Sequence, residues 1–218
     1  MKLYGFPGGP MSRHHRCKWV LNEVGADYEF VALDFFKREQ RSESMKKLNP
    51  TGRVPVLVDG DFALWESSAI CTYVADKFPE KGMIPKTGTP ERGQYNQWMS
   101  FATGEMDSQL MIMGKNGAPH YFPEITPDVK IGEVARTESS AAARAEFLNF
   151  ASIVETHLDG RAFLLDSGFS AVDPVMWWVL NAAKGKELLD GFPRLLSYVE
   201  RLEKRQHFPV FEMPVLPG

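Results

Sequence analysis

The chain has 218 residues, 44% of them apolar and 24% charged, which is enough apolar material for a sizeable core and excludes a disordered chain. Lys and Arg number 25 against 28 Asp and Glu, a formal charge of −3, without the basic excess of a dedicated nucleic-acid binder. No run reaches the roughly 20 apolar residues of a spanning helix, no secretory pattern opens the chain, and Cys17 and Cys71 alone are too few for a disulfide framework or a cysteine-rich zinc site. The expectation is a soluble, cytoplasmic protein with no metal, nucleic acid or membrane among its partners.

Lys2–Phe6 reads as a short strand stopped by Pro7, Gly8, Gly9 and Pro10. Cys17, Val20, Leu21 and Val24 then fall at helical spacing, with Gly25 placed to end the helix. Tyr28–Leu33 alternates as a second strand, and Ser42–Leu48 is a short helical or irregular piece closed by Asn49-Pro50. Val54–Val58 and Phe62–Leu64 flank Asp59-Gly60-Asp61, a hairpin signal because Asp-Gly suits the turns that match strand twist. Glu66–Phe78 is helical again and ends at Pro79. The order βαβ–(α)–ββα describes an α/β unit over residues 1–79 whose last hairpin makes the sheet mixed.

Residues 80–89 are polar and suit a linker, and an all-helical region follows over 90–218. Thr89-Pro90-Glu91 is a helix start with Thr as cap and Pro at the first helical position. Tyr95, Trp98, Met99, Ala102 and Met106 repeat at helical spacing to about Met113. Gly114–Ile131 looks irregular, with Tyr121 and Phe122 exposed, and Arg136–Leu158 is a long helix with Phe147, Phe150, Ala151 and Val154 on one face. Ser170-Ala171-Val172-Asp173 is a capping-box variant with Asp in place of Glu, a folding device. Val175–Leu180 reads as a buried helix, and Phe192–Arg205 as the last long one.

The residue strings of the first unit resemble those of the glutathione transferase superfamily, nearest its phi-like and related bacterial types. Leu48-Asn49-Pro50-Thr51-Gly52-Arg53-Val54-Pro55-Val56-Leu57 is similar to the family's Asn-Pro-x-Gly-x-Val-Pro-x-Leu run. Leu64-Trp65-Glu66-Ser67-Ser68-Ala69-Ile70 is similar to its Leu-x-Glu/Gln-Ser-x-Ala-Ile, and the two stand at the family's separation. The resemblance is strong over residues 1–79 and softer beyond. It implies a thioredoxin-like domain, α/β, followed by an all-α domain, glutathione as co-substrate, a small apolar electrophile as second substrate, and a homodimer.

Residue by residue, the resemblance makes Val54-Pro55 a cis-proline step that turns the Val54 backbone toward the cysteinyl backbone of glutathione, like an added strand. Glu66 and Ser67, at a helix start whose unpaired N–H groups favour a carboxylate, hold the γ-glutamyl end, Glu66 its ammonium and Ser67 its carboxylate. Gln40 and Arg41 stand where relatives contact the glycine carboxylate, and Arg53 lies beside the same cleft. Phe6, Met106 and Met113 are candidate walls of the second-substrate pocket. Taken without the family, each has a plainer reading: a loop proline, a helix-start pair, a solvated charged stretch, core packing.

The catalytic position departs from the family, which places Ser, Tyr or Cys after the first strand. Counting back from Arg13, the phi-type serine falls on Gly9, which has no side chain. Ser12 is the nearest hydroxyl and the candidate catalytic residue, serving the glutathione sulfur or else capping the first helix. Backbone N–H groups at that helix start are a third source of thiolate stabilisation. Tyr4, Cys17 and Cys71 read as core residues, and His14 and His15 as solvated helix positions without metal-ligand spacing. The expected reaction is conjugation of glutathione to an electrophile. The alternatives are glutathione-dependent disulfide or peroxide reduction and non-catalytic binding on the same scaffold.

Overall fold

Four short strands form one sheet in the order β2-β1-β3-β4, with β1 Lys2–Gly5, β2 Glu29–Ala32, β3 Val56–Asp59 and β4 Phe62–Trp65. The computed structural model describes residues 1–8, 12–117, 133–209 and 211. β1 pairs parallel with β2, Leu3 opposite Phe30, and antiparallel with β3, Leu3 opposite Leu57. The β3–β4 hairpin closes on Gly60-Asp61 between the paired Asp59 and Phe62, and Gly60 takes the left-handed φ of 62° that the tight turn requires.

The helices α1 His14–Glu23 and α3 Ser67–Lys77 pack together with Leu3 and Leu57 in one buried cluster. A second cluster, Leu33, Met45 and Val56, brings in α2 Glu43–Leu48 through Met45. Ser42 caps α2 by accepting the Met45 N–H at 3.4 Å. This is the βαβ–ββα order with a mixed sheet that the sequence pattern predicts, and the thioredoxin-like arrangement that the resemblance implies.

The helical region runs through α4 Pro90–Ser100, α5 Asp107–Gly117, α6 Glu133–His157, α7 Val172–Lys184 and α8 Pro193–Glu203. Thr89 caps α4 by accepting the Arg92 N–H at 3.2 Å, as its sequence predicts. Between α4 and α5 the chain winds as a π-helix over Phe101–Met106, a widening that apolar spacing alone does not announce. Positions 114–117, expected to be irregular, continue α5, whereas Tyr121 and Phe122 lie outside the described residues. Along α6 the buried stripe is Ala143, Phe147, Ala151 and Val154, and Leu158 continues it just past the helix end.

At the start of α7 the capping box is only half made. The Asp173 carboxylate accepts the Ser170 N–H at 2.7 Å and the Ser170 hydroxyl at 3.2 Å, while the Asp173 N–H goes to the Ser170 carbonyl at 3.0 Å. Leu164 N–H and the Tyr198 hydroxyl complete the Asp173 shell at 3.2 and 2.6 Å, so this buried carboxylate ties α7 to α8 and to the preceding loop.

One core runs through both regions, because Trp19 and Ile70 belong to the same buried cluster as Tyr95, Phe147, Trp177 and Tyr198. Trp19 meets Trp177 edge-on at 5.6 Å and Phe208 at 4.9 Å. α1 is therefore packed on more than its apolar face, which corrects the reading of His14 and His15 as solvated: they are 1% and 2% exposed. The expected linker is itself pinned, with the Met83 carbonyl accepting the Ala171 N–H at 2.8 Å.

Candidate functional site

The Asn49-Pro50-Thr51-Gly52 string works as a turn scaffold. The buried Asn49 amide accepts from the Thr51 N–H at 3.0 Å and hydroxyl at 2.8 Å, and donates to the Arg53 carbonyl at 2.8 Å. That clamp delivers the chain to Val54-Pro55, whose peptide bond is cis. Pro55 is buried and Val54 half-buried, and the strand ladder begins only at Val56, beyond the Val54 backbone groups.

Gln40 and Arg41 lie in a single turn of 3-10 helix, Glu39–Arg41, and reach the same loop from the other side. A Cβ added to Gly52 would come 3.4 Å from the Arg41 stem and 3.8 Å from the Gln40 carbonyl. Gln40 is buried, and its Oε1 has no hydrogen-bond partner among the described residues. An orphaned buried acceptor beside an arginine is unusual in a finished core and common at a ligand site.

The chain leaves β4 and enters α3 through Glu66, which holds φ 72° and ψ 115°, a conformation costly for a residue with a Cβ. Glu66 is exposed and Ser67, the first residue of α3, is buried. The Ser67 hydroxyl accepts from Arg16 Nη1 at 3.1 Å, which leaves its own proton to donate. Arg16 also reaches Asp107 at 2.9 Å, and Arg13 grips the same carboxylate through two bonds of 2.9 and 2.7 Å. Both guanidiniums lie over the Trp178 ring, at 4.8 Å for Arg13 and 4.4 Å for Arg16.

Burial by itself would push the Asp107 carboxyl up, but the hydrogen bonds and charges of Arg13 and Arg16 outweigh it and hold the group below the usual carboxylate range. Two guanidiniums against one carboxylate leave a local positive excess behind Ser67. Arg13, Arg16, Asp107 and Trp178 escaped the sequence reading. The available signal was two arginines three residues apart at the start of one helix, which is uninformative until Asp107 is seen between them.

Ser12 does not cap α1 with its side chain. The cap position is Arg13, without a side-chain bond, and the Ser12 hydroxyl instead lies 2.6 Å from His14 Nδ1. Gly9 lies outside the described residues. Phe6 is half-buried, packs in the cluster that includes Val54, and meets Phe35 edge-on at 5.1 Å. Phe35 in turn meets the exposed Phe36 at 5.7 Å. Met106 is fully enclosed, 0% exposed, which corrects its expected place on a pocket wall; it fills the core where the π-helix meets α5. Met113 is half-buried against that core.

Cys17 and Cys71 are both fully buried, as expected of small core residues, and burial pushes the Cys17 thiol up. Among the described residues no group of three or more His, Cys, Asp or Glu is arranged to hold a metal ion, and no helix is long and apolar enough to cross a membrane.

Residues 1–76 match the family model described as glutathione S-transferase, N-terminal domain. The chain is 31% identical over 175 residues to glutathione S-transferase 3 of Zea mays, an alignment covering 79% of this chain and 73% of that one. It is 51% identical over 112 residues to the probable glutathione S-transferase GSTF2 of Oryza sativa subsp. japonica, where it spans half the length of that relative. Among solved structures, glutathione transferase URE2P8 of Phanerochaete chrysosporium with oxidized glutathione superposes with a TM-score of 0.78 at 25% identity, covering 95% of this chain and 90% of that one.

Proposed function

The chain belongs to the glutathione S-transferase family, and we propose that it binds glutathione in the cleft at the start of α3 and conjugates the thiolate to a small apolar electrophile. The observation that carries this reading is the arginine-backed Ser67, buried at a helix start beside the cis Val54–Pro55 loop. The γ-glutamyl carboxylate meets the Ser67 hydroxyl and the free N–H groups of the first turn of α3, and the positive excess of Arg13 and Arg16 favours that anion. Glu66, exposed at the bend, takes the ammonium. The Val54 backbone pairs with the cysteinyl residue, and Gln40, Arg41 and Arg53 face the glycine end.

The sulfur then points toward Ser12 and the opening of α1, and the electrophile packs against Phe6 and Met113. Catalysis in this reading is thiolate stabilisation plus proximity, with no covalent enzyme intermediate. Disulfide or peroxide reduction through an enzyme thiol finds no support, since Cys17 and Cys71 are both enclosed in the core. The protein acts in the cytoplasm, in detoxification, as a homodimer. The dimer reading is supported by Phe62 and Trp65 on the edge strand β4 and by Ile153 on α6, 48%, 37% and 50% exposed.

Turnover against a panel of aryl and alkyl electrophiles, disulfides and peroxides tests the reading. Thioether formation with at least one electrophile supports it. Glutathione binding without any turnover overturns it in favour of a binding protein on this scaffold, and reduction alone overturns it in favour of a reductase.

A further inference from the structure

Two consecutive histidines at the start of α1 each engage a residue that precedes the helix. His15 Nε2 donates to the Gly8 carbonyl at 3.0 Å, and His14 Nδ1 stands 2.6 Å from the Ser12 hydroxyl. The His14 ring has no room to move. It stacks on Phe30 at 4.9 Å, lies 4.0 Å from the His15 ring, and faces Gly5 so closely that a Cβ there would come 2.6 Å from its Cγ. Neither the family strings nor the proposed ligand contacts assign His14 any part.

A hydroxyl and an imidazole nitrogen at this distance share one proton, and the two possible arrangements have opposite consequences. If Ser12 donates to a bare Nδ1, its proton is used up and only lone pairs face outward, which repel a thiolate. If Nδ1–H donates to Ser12, the serine proton is free to point outward from a polarised oxygen.

Resting on the reading that the glutathione sulfur faces Ser12, we propose that His14 is a positioning residue, held as the Nδ1–H tautomer, that turns the Ser12 hydroxyl proton onto the glutathione thiolate. His14 stays neutral in this role: burial chiefly, with the charges of His15 and Lys18, pushes its pKa down to about 2. It is therefore too weak a base to accept the thiol proton, which leaves to solvent. Lys18, one helical turn beyond His14, adds a positive charge that further disfavours the imidazolium.

The direct test is the tautomer itself, read by nitrogen NMR of 15N-histidine-labelled protein with glutathione bound. A protonated Nδ1 at His14 is the expected result, and a bare Nδ1 overturns the proposal whether or not any variant folds. The second test is the pKa of bound glutathione, by ultraviolet titration of the thiolate in wild type, Ser12→Ala, His14→Phe and His14→Asn.

His14→Phe is expected to raise the thiol pKa by about one pH unit and to lower kcat about tenfold below that pKa, with KM for glutathione unchanged. His14→Asn, whose amide N–H stands where Nδ1–H stood, is expected to recover most of the loss. A shift in Ser12→Ala with none in His14→Phe overturns the proposal alone. No shift in Ser12→Ala overturns the assignment of Ser12 to the sulfur, and the proposal with it.

Discussion

Arg16 and Asp107 meet at 2.9 Å across 91 residues of sequence, and their side chains are 1% and 6% exposed. The contact joins α1 of the α/β unit to the first residue of α5, and Arg16 passes the link on to Ser67 at 3.1 Å. One buried carboxylate thus fixes both the seam between the two regions and the residue proposed to receive the γ-glutamyl carboxylate. Such a pair is of little value as a stabiliser relative to apolar packing, but breaking it leaves charge stranded in the core. Its place in the fold is better explained by where it holds Ser67.

Asp107→Asn strands two guanidiniums, one of them fully buried. A loss of about 3–5 kcal/mol in unfolding free energy is expected, read as a lower urea midpoint with an unchanged m-value. A loss below about 1 kcal/mol would mean that solvent or a rearranged partner takes over the role of Asp107.

Ser67→Ala removes the hydroxyl that Arg16 engages and that faces the first turn of α3. Glutathione affinity measured by calorimetry is expected to fall by about 1–3 kcal/mol, the range for a lost hydrogen bond to a charged group. Affinity equal to wild type would place the γ-glutamyl carboxylate elsewhere.

His14 gives the protein a specific acid sensitivity. Its folded pKa near 2 lies far below the ordinary 6.5, because burial, and then the His15 and Lys18 charges, disfavour the imidazolium. Only the unfolded chain takes up this proton, so the stability is fully present above about pH 6.5 and is lost as the pH falls. Wild type is expected to lose roughly 1.4 kcal/mol per pH unit through this group below about pH 6. His14→Asn lacks that slope; parallel stability profiles from pH 7 to 5 would show that His14 takes up its proton in the folded state as well.

Phe62 and Trp65 leave apolar surface exposed on an edge strand, where a partner could cover it. Sedimentation at micromolar protein is expected to give about twice the 24.6 kDa chain mass, shifting toward one chain in Phe62→Glu. A single-chain mass for wild type rules out the stable dimer.

What the sequence determined on its own was whatever depends on neighbours in the chain. Thr89-Pro90 starts α4, Asp59-Gly60-Asp61 closes the hairpin, and the spacing of Cys17, Val20, Leu21 and Val24 marks the buried face of α1, because caps, turns and helical period act over one or two turns. The strings around Pro55 and Ser67 were legible on their own only as local devices, a turn and a helix entry whose parts lie within a few residues, and their part in a glutathione site came from the resemblance. The tertiary structure decided the rest. It buried His14, His15 and Arg16 on what reads as a polar face of α1, took Met106 into the core at a π-helical turn, and aimed Ser12 at an imidazole rather than at the helix it precedes. In each case the deciding partner is a packed neighbour that local pattern does not reveal: Asp107 for the arginines, Phe30 and Gly5 for His14. A polar side chain carries no local mark of burial, since periodicity records which face is apolar and not what closes over the other one.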